Sequence, residues 1–207
     1  MFPIILDLAR TPVALVGAGP QTARRLALLG EGHAAQVTVY AAEPKAALVR
    51  AAAARLRRHW PSAEEVGAHR ILFIGDGVAP GLIKALVEAA RAAGTLVNVE
   101  DQPGLCDFHS PAMVRRGDLL LTVSTGGKSP ALAHRLGRFL GGVFGPEWRE
   151  RLEDLATLRG AWRQAGADPA MVGAWTDAWV DRHGDLPAEA GASAALRDGT
   201  RPPLAAQ

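Results

Sequence analysis

The apolar positions of the chain fall into short, nearly unbroken runs separated by longer amphipathic stretches. Val13-Ala14-Leu15-Val16 carries no polar residue, as expected of a strand buried on both faces of a parallel sheet. Comparable runs recur at residues 36–40, 70–74 and 95–99. Between them, residues 23–29, 44–59 and 80–93 read as helices. Pro44 and Pro80 suit a first helical turn, and Gly94 suits a C-cap. Four strands alternating with helices predict an α/β fold built on a doubly wound parallel sheet.

The pattern changes after residue 101. Residues 119–124 form one more apolar run, followed by Thr125-Gly126-Gly127-Lys128 and a helix over 130–143, with Ser129 as N-cap and Pro130 at its first position. Residues 147–164 and 169–182 read as helices only, and Trp148, Trp162, Trp175 and Trp179 serve as core or interface anchors there. The stretch 184–207 is rich in Ala, Gly and Pro and is expected to be disordered.

Composition narrows the class. Of 207 residues, 48% are apolar, enough for a buried core, and the net charge is only +2 without a long basic run. No nucleic-acid partner is therefore expected. A single cysteine, Cys106, excludes an intramolecular disulfide and any multi-cysteine metal site. No apolar run approaches the roughly 18 residues of a membrane span, and Asp7 interrupts the first apolar stretch. The expectation is a soluble cytoplasmic protein with no membrane partner.

The chemistry begins where the first strand runs into Gly17-Ala18-Gly19-Pro20-Gln21-Thr22 and then a helix. Two glycines at that spacing permit a tight turn and let the backbone approach a pyrophosphate held at the helix N-terminus. Thr22 stands where the third small residue of such a fingerprint belongs. An ordinary strand–turn–helix remains the alternative at this point. The second strand ends at Tyr40, about twenty residues on, where a ribose-binding acid would be sought. The nearest carboxylate is Glu43, and no Arg or Lys directly follows the strand to meet a 2′-phosphate, Lys45 being the closest. NAD is therefore favoured over NADP. Gly75-Asp76-Gly77 ends the third strand, either touching a cofactor or serving only as a turn. Asp101 follows the fourth strand, a carboxylate at a strand's C-terminal end. Either it caps the turn before Pro103, or, with the Ser129 helix N-terminus, it serves one nucleotide-dependent cleft.

These residues together resemble the precorrin-2 dehydrogenase/sirohydrochlorin ferrochelatase family, the dehydrogenase module of siroheme synthase. The resemblance is carried by Phe2-Pro3-Ile4 with Asp7-Leu8, by Val16-Gly17-Ala18-Gly19 with Ala23-Arg24-Arg25 and Leu28-Leu29, and by Val37-Thr38-Val39. It is carried most specifically by Asn98-Val99-Glu100-Asp101, by Asp107-Phe108 with Pro111-Ala112, and by Ser124-Thr125-Gly126-Gly127-Lys128-Ser129-Pro130 with Leu132-Ala133. It departs from the family at Thr22 and at Gly75-Asp76-Gly77, where relatives show an alanine–threonine–acid run.

The resemblance implies NAD-dependent oxidation of precorrin-2 to sirohydrochlorin, followed in many members by insertion of Fe²⁺ or Co²⁺ as a substrate at the same site. It implies a homodimer with a Rossmann-type NAD-binding domain (residues 1–112), a dimerisation segment (113–145), a helical C-terminal domain (146–183) and the tail (184–207). Asp101 matches the family's catalytic aspartate, and a carboxylate among apolar neighbours suits a general base. Pro20 and Gln21 match the family's loop positions that contact the dinucleotide, and Ala42 and Glu43 those after the second strand; Gly17, Gly19, Gly75 and Asp76 are further cofactor-contact candidates from their place at the strand ends. Lys128 and Ser129 are the candidate substrate contacts, and Arg24, Arg25 and Arg135 are further candidate cations for a polycarboxylate; each of the four cations could equally be a solvated surface charge. Ser129 also matches a serine phosphorylated in some relatives. No resident metal site is expected. The competing reading is a non-catalytic tetrapyrrole- or nucleotide-binding carrier or sensor of the same fold, for which the altered cofactor loop speaks.

Overall fold

The computed structural model describes residues 2–183, so the expectation for 184–207 lies outside the described residues. The chain divides into two compact units, Met1–Ser110 and Pro111–Gln207.

The first unit holds a five-stranded parallel sheet in the order β3-β2-β1-β4-β5. Its strands are β1 (Val13–Val16), β2 (Val37–Tyr40), β3 (Leu56–Arg57), β4 (Ile71–Ile74) and β5 (Leu96–Val99). Alternation along the strands sends their side chains into two separate cores. Ala14, Val16, Leu72, Ile74, Val97 and Val99 pack with Ile83, Leu86, Val87 and Ala90 of α4 (Pro80–Ala93) and with Val66 of α3 (Ala63–Gly67). Val13, Leu15, Val37, Val39, Ile71 and Phe73 pack with Leu26 and Leu29 of α1 (Pro20–Glu31) and Leu48 and Ala52 of α2 (Ala46–Ala52). Both faces are thus covered, which is why these strands read as nearly unbroken apolar runs. Gly94 ends α4 at φ +73, the left-handed conformation that favours glycine.

One predicted helix is corrected. Residues 44–59 form only the short α2, which ends as Ala53 turns to φ +47; a 3₁₀ turn follows, and Leu56–Arg57 then pairs with Val39–Tyr40. The Ala- and Arg-rich sequence favours helix locally, but the open edge of β2 recruits it as a strand, so tertiary pairing overrides propensity. Helix α3 was not predicted, although Ser62-x-x-Glu65 carries its signal: the Ser62 hydroxyl accepts from the Glu65 amide and the Glu65 carboxylate accepts from the Ser62 amide, a complete capping box.

The outer edge of β5 is closed by side chains. The Val97 amide donates to the Asp107 carboxylate at 3.0 Å, and the Val99 amide donates to Cys106 Sγ at 3.2 Å. Phe108 then sets its ring edge against Phe73 at 5.4 Å. Asp107-Phe108, a pair specific enough to carry the family resemblance, thus serves the sheet: it satisfies an edge that would otherwise present bare donors.

The second unit begins with an antiparallel hairpin, β6 (Ala112–Arg116) and β7 (Leu119–Val123), turned through Gly117 at φ +60. Helices α5 (Pro130–Val143), α6 (Trp148–Gln164) and α7 (Pro169–His183) follow. Trp162 meets Trp175 edge to face at 5.4 Å, around Val172, so two of the tryptophans form the core of the α6–α7 pair.

Candidate functional site

The paired registers bring three strands of the first unit to one level: Val16 lies opposite Ile74, and Ile74 opposite Val99. The chain runs outward from β1 to β2 and β3, then crosses to β4 and β5 on the other side of β1. Ligands of open α/β sheets bind in the crevice above that reversal, here between the loops that follow β1 and β4.

Gly17 leaves β1 at φ +154, a conformation that disfavours any side chain. A Cβ there would collide with Thr22 Oγ1 and lie 3.0 Å from the Asp76 carbonyl oxygen; one at Gly75 would lie 2.5 Å from Thr22 Oγ1. Thr22 is fully buried, and the two glycines are the space it needs.

The carboxylate of Asp76 crosses from the β4 loop to the N-terminus of α1. Its Oδ1 accepts from the Thr22 amide at 3.0 Å and the Thr22 hydroxyl at 2.8 Å, and its Oδ2 accepts from the Gln21 amide at 3.3 Å. Burial pushes this carboxyl up, but the Thr22 and Gln21 donors together pull harder and hold it below its ordinary value. Gly19, the α1 N-cap, provides no side-chain cap of its own, so Asp76 serves in its place. A Cβ on Gly19 would fall onto the same carboxylate.

The loop after β2 is tied to this one by the Lys45 amide donating to the Ala18 carbonyl at 2.9 Å. Ala42 and Glu43 are exposed there, as are Pro20 and Gln21 in the first turn of α1. Tyr40 is instead a core residue, between His59 and His69 with ring centroids at 5.6 and 6.1 Å. Burial chiefly, with help from Glu65, pushes its hydroxyl up against the opposing pull of Arg57.

Asp101 emerges at the carboxyl end of β5, at φ +56. Aspartate tolerates this left-handed conformation better than most residues, at a cost on the order of 1 kcal/mol. The sequence placed this carboxylate among apolar neighbours; it is exposed instead. No described residue forms a hydrogen bond or ion pair with its side chain. Its neighbour Glu100 holds Arg25 of α1 at 2.9 Å, and Arg25 also donates to Ser110 Oγ at 2.8 Å and lies over the Phe73 ring at 5.0 Å. Arg25, a sequence candidate for substrate carboxylates, is therefore committed to fixing the exit of β5 against α1. Sequence reading missed that role because Arg25 and Glu100 stand 75 positions apart.

Lys128 and Ser129 lie in the second unit. Ser129 caps α5, its hydroxyl accepting from the Leu132 amide at 3.2 Å, while its own amide donates to Thr125 Oγ1 at 3.1 Å and its carbonyl accepts from that hydroxyl at 3.0 Å. The Thr125-Gly126-Gly127-Lys128 turn is thereby locked and leaves Lys128 exposed. The structure thus brings Gly17, Gly19, Gln21, Gly75 and Asp76 into one contact group, links it to the loop carrying Ala42 and Glu43, and sets Asp101 on the same sheet edge.

A glycine-lined β1–α1 loop at the switch point of a doubly wound sheet defines a dinucleotide-fold protein. Residues 4–112 match the family described as "Putative NAD(P)-binding". Siroheme synthase of Methylococcus capsulatus is 41% identical over 138 residues, covering 65% of this chain and 28% of that one. Siroheme synthase of Neisseria meningitidis serogroup C is 34% identical over 168 residues, covering 79% and 34%. Among solved structures, "SirC, precorrin-2 dehydrogenase" superposes with a TM-score of 0.63 at 25% identity, covering 82% of this chain and 84% of that one. The chain belongs to the NAD(P)-binding family that includes precorrin-2 dehydrogenase and the corresponding module of siroheme synthase. It spans about a third of the length of the curated relatives it matches.

Proposed function

We propose that this chain oxidises precorrin-2 to sirohydrochlorin with NAD as acceptor. The observation that carries the reading is Asp101, an exposed carboxylate with no competing partner among the described residues, on the same sheet edge as the glycine-lined loop. The oxidation removes a hydride and a proton from the tetrapyrrole. A nicotinamide bound at the loop supplies the hydride acceptor, and the Asp101 carboxylate takes the proton. Glu43, on the loop tied to Ala18, is suited to ribose hydroxyls and so favours NAD; Ala42, Pro20 and Gln21 line the same edge. Lys128 and the α5 N-terminus at Ser129 offer positive potential to the substrate's carboxylates. A dinucleotide fits this loop only once the Asp76 carboxylate has left the α1 amides, since both anions need the same donors. The assay is anaerobic incubation of the protein with precorrin-2 and NAD. The sirohydrochlorin spectrum is expected, its absence defeats the reading, and Fe²⁺ or Co²⁺ added afterwards tests for metal insertion.

The functional unit we propose is a homodimer. Leu132, Leu136, Phe139 and Val143 of α5 recur at helical spacing and are 41–66% exposed, a contiguous apolar stripe on the segment where the family resemblance sets dimerisation. Light scattering of the wild type is expected to give a dimer, and Phe139→Asp a monomer; a monomeric wild type contradicts the assignment.

A further inference from the structure

In a dinucleotide fold the second loop glycine leaves bare backbone so that a pyrophosphate can approach, and the first-turn amides of the following helix receive it. Here both features are taken by the chain itself. The volume a side chain at Gly19 would occupy holds the Asp76 carboxylate, and the amides of Gln21 and Thr22 already donate to its two oxygens. The hydroxyl of Thr22 adds a third donor at 2.8 Å, from the one position where the fingerprint normally has a small, non-polar residue. Asp76 itself is aimed by the glycines on either side of it, Gly77 at φ +76, and by its carbonyl, which accepts from the Ala18 amide at 2.8 Å.

We propose that Asp76 is an internal anion that competes with the dinucleotide for the N-terminus of α1, with Thr22 as the residue that holds it there. Asp76 and Thr22 are then affinity-determining residues of this chain: they weaken dinucleotide binding, and a dinucleotide binds by displacing the carboxylate. The proposal deepens the cofactor reading above and rests on it. The two departures that the sequence shows, a hydroxyl at 22 and a carboxylate at 76, become a single device, because each supplies the partner of the other.

The test measures dissociation constants for NAD, NADP and inorganic pyrophosphate by calorimetry, on the wild type, Asp76→Asn and Thr22→Ala. Neutralising Asp76 is expected to tighten NAD binding by about tenfold or more, the scale of a net charge-assisted hydrogen bond. Thr22→Ala, which keeps the charge but removes one donor, is expected to tighten it by a smaller factor, and pyrophosphate is expected to follow the same order. Thermal melts establish that each variant is folded. Should Asp76→Asn fail to fold for want of its cap, the Thr22→Ala result decides. Equal or weaker NAD binding in the folded variants, against a wild type that binds NAD, overturns the competing-anion proposal and leaves the proposed function standing. No dinucleotide binding by any variant overturns both.

Discussion

Asp101→Ala is expected to lower precorrin-2 turnover by about 100- to 10,000-fold, the range of a lost general base, with dinucleotide binding retained. Asp101 is held at φ +56 where β5 leaves the sheet, directly after Glu100, and Glu100 is anchored to Arg25 and thereby to α1. The turn is fixed from its neighbour, so the Asp101 side chain is not needed to hold it. Because alanine accepts a left-handed backbone less readily, Asp101→Asn is the sharper variant: asparagine tolerates the same φ and is nearly isosteric, yet takes up no proton. The two are expected to lose activity alike. Undiminished turnover in folded Asp101→Asn would remove the base from the account.

Gly17→Ala carries the largest expected structural effect at the site. The residue sits at φ +154, and its new Cβ would meet Thr22 Oγ1 and the Asp76 carbonyl oxygen, the latter part of the backbone and unable to rotate away. Strain at such a φ costs roughly 1–3 kcal/mol, and overpacking costs about as much again. Loss of roughly 2–6 kcal/mol in denaturant unfolding is therefore expected, together with loss of dinucleotide binding. Wild-type stability in this variant would mean that the loop is looser than these contacts require.

Much of this was legible in the sequence, because local physics and the fold agree. Val13–Val16, Val37–Tyr40, Ile71–Ile74 and Leu96–Val99 lie where the apolar runs predicted strands, since burial on both faces of the sheet leaves room for few polar residues, Thr38 and Asn98 being the exceptions. The N-cap at Ser129 and the C-cap at Gly94 were visible for the same reason: helix ends impose their own chemistry. What was not legible came from distant partners. Leu56–Arg57 is a strand only because β2 has an edge to fill. β6 was missed because Arg115 and Arg116 interrupt its apolar pattern, and its existence depends on pairing with β7.

At the candidate site, Gly17 and Gly19 were readable, but their contacts were not. The sequence left Asp76 open between cofactor contact and turn residue. Its carboxylate does something neither reading contained: it caps α1 from 54 positions away. Arg25 likewise read as an exposed cation for substrate, whereas Glu100, Ser110 and Phe73 surround it. A charge read from sequence carries no record of which distant partner will claim it.

The central claim is that this chain couples tetrapyrrole oxidation to a nicotinamide. The most direct measurement follows reduced nicotinamide and sirohydrochlorin together, in one anaerobic reaction of the wild-type protein with precorrin-2 and NAD. The two are expected to appear at the same rate and in equal amounts, and neither is expected above background when NAD is left out. Sirohydrochlorin formed equally fast without NAD, or no sirohydrochlorin at saturating NAD, would contradict that coupling.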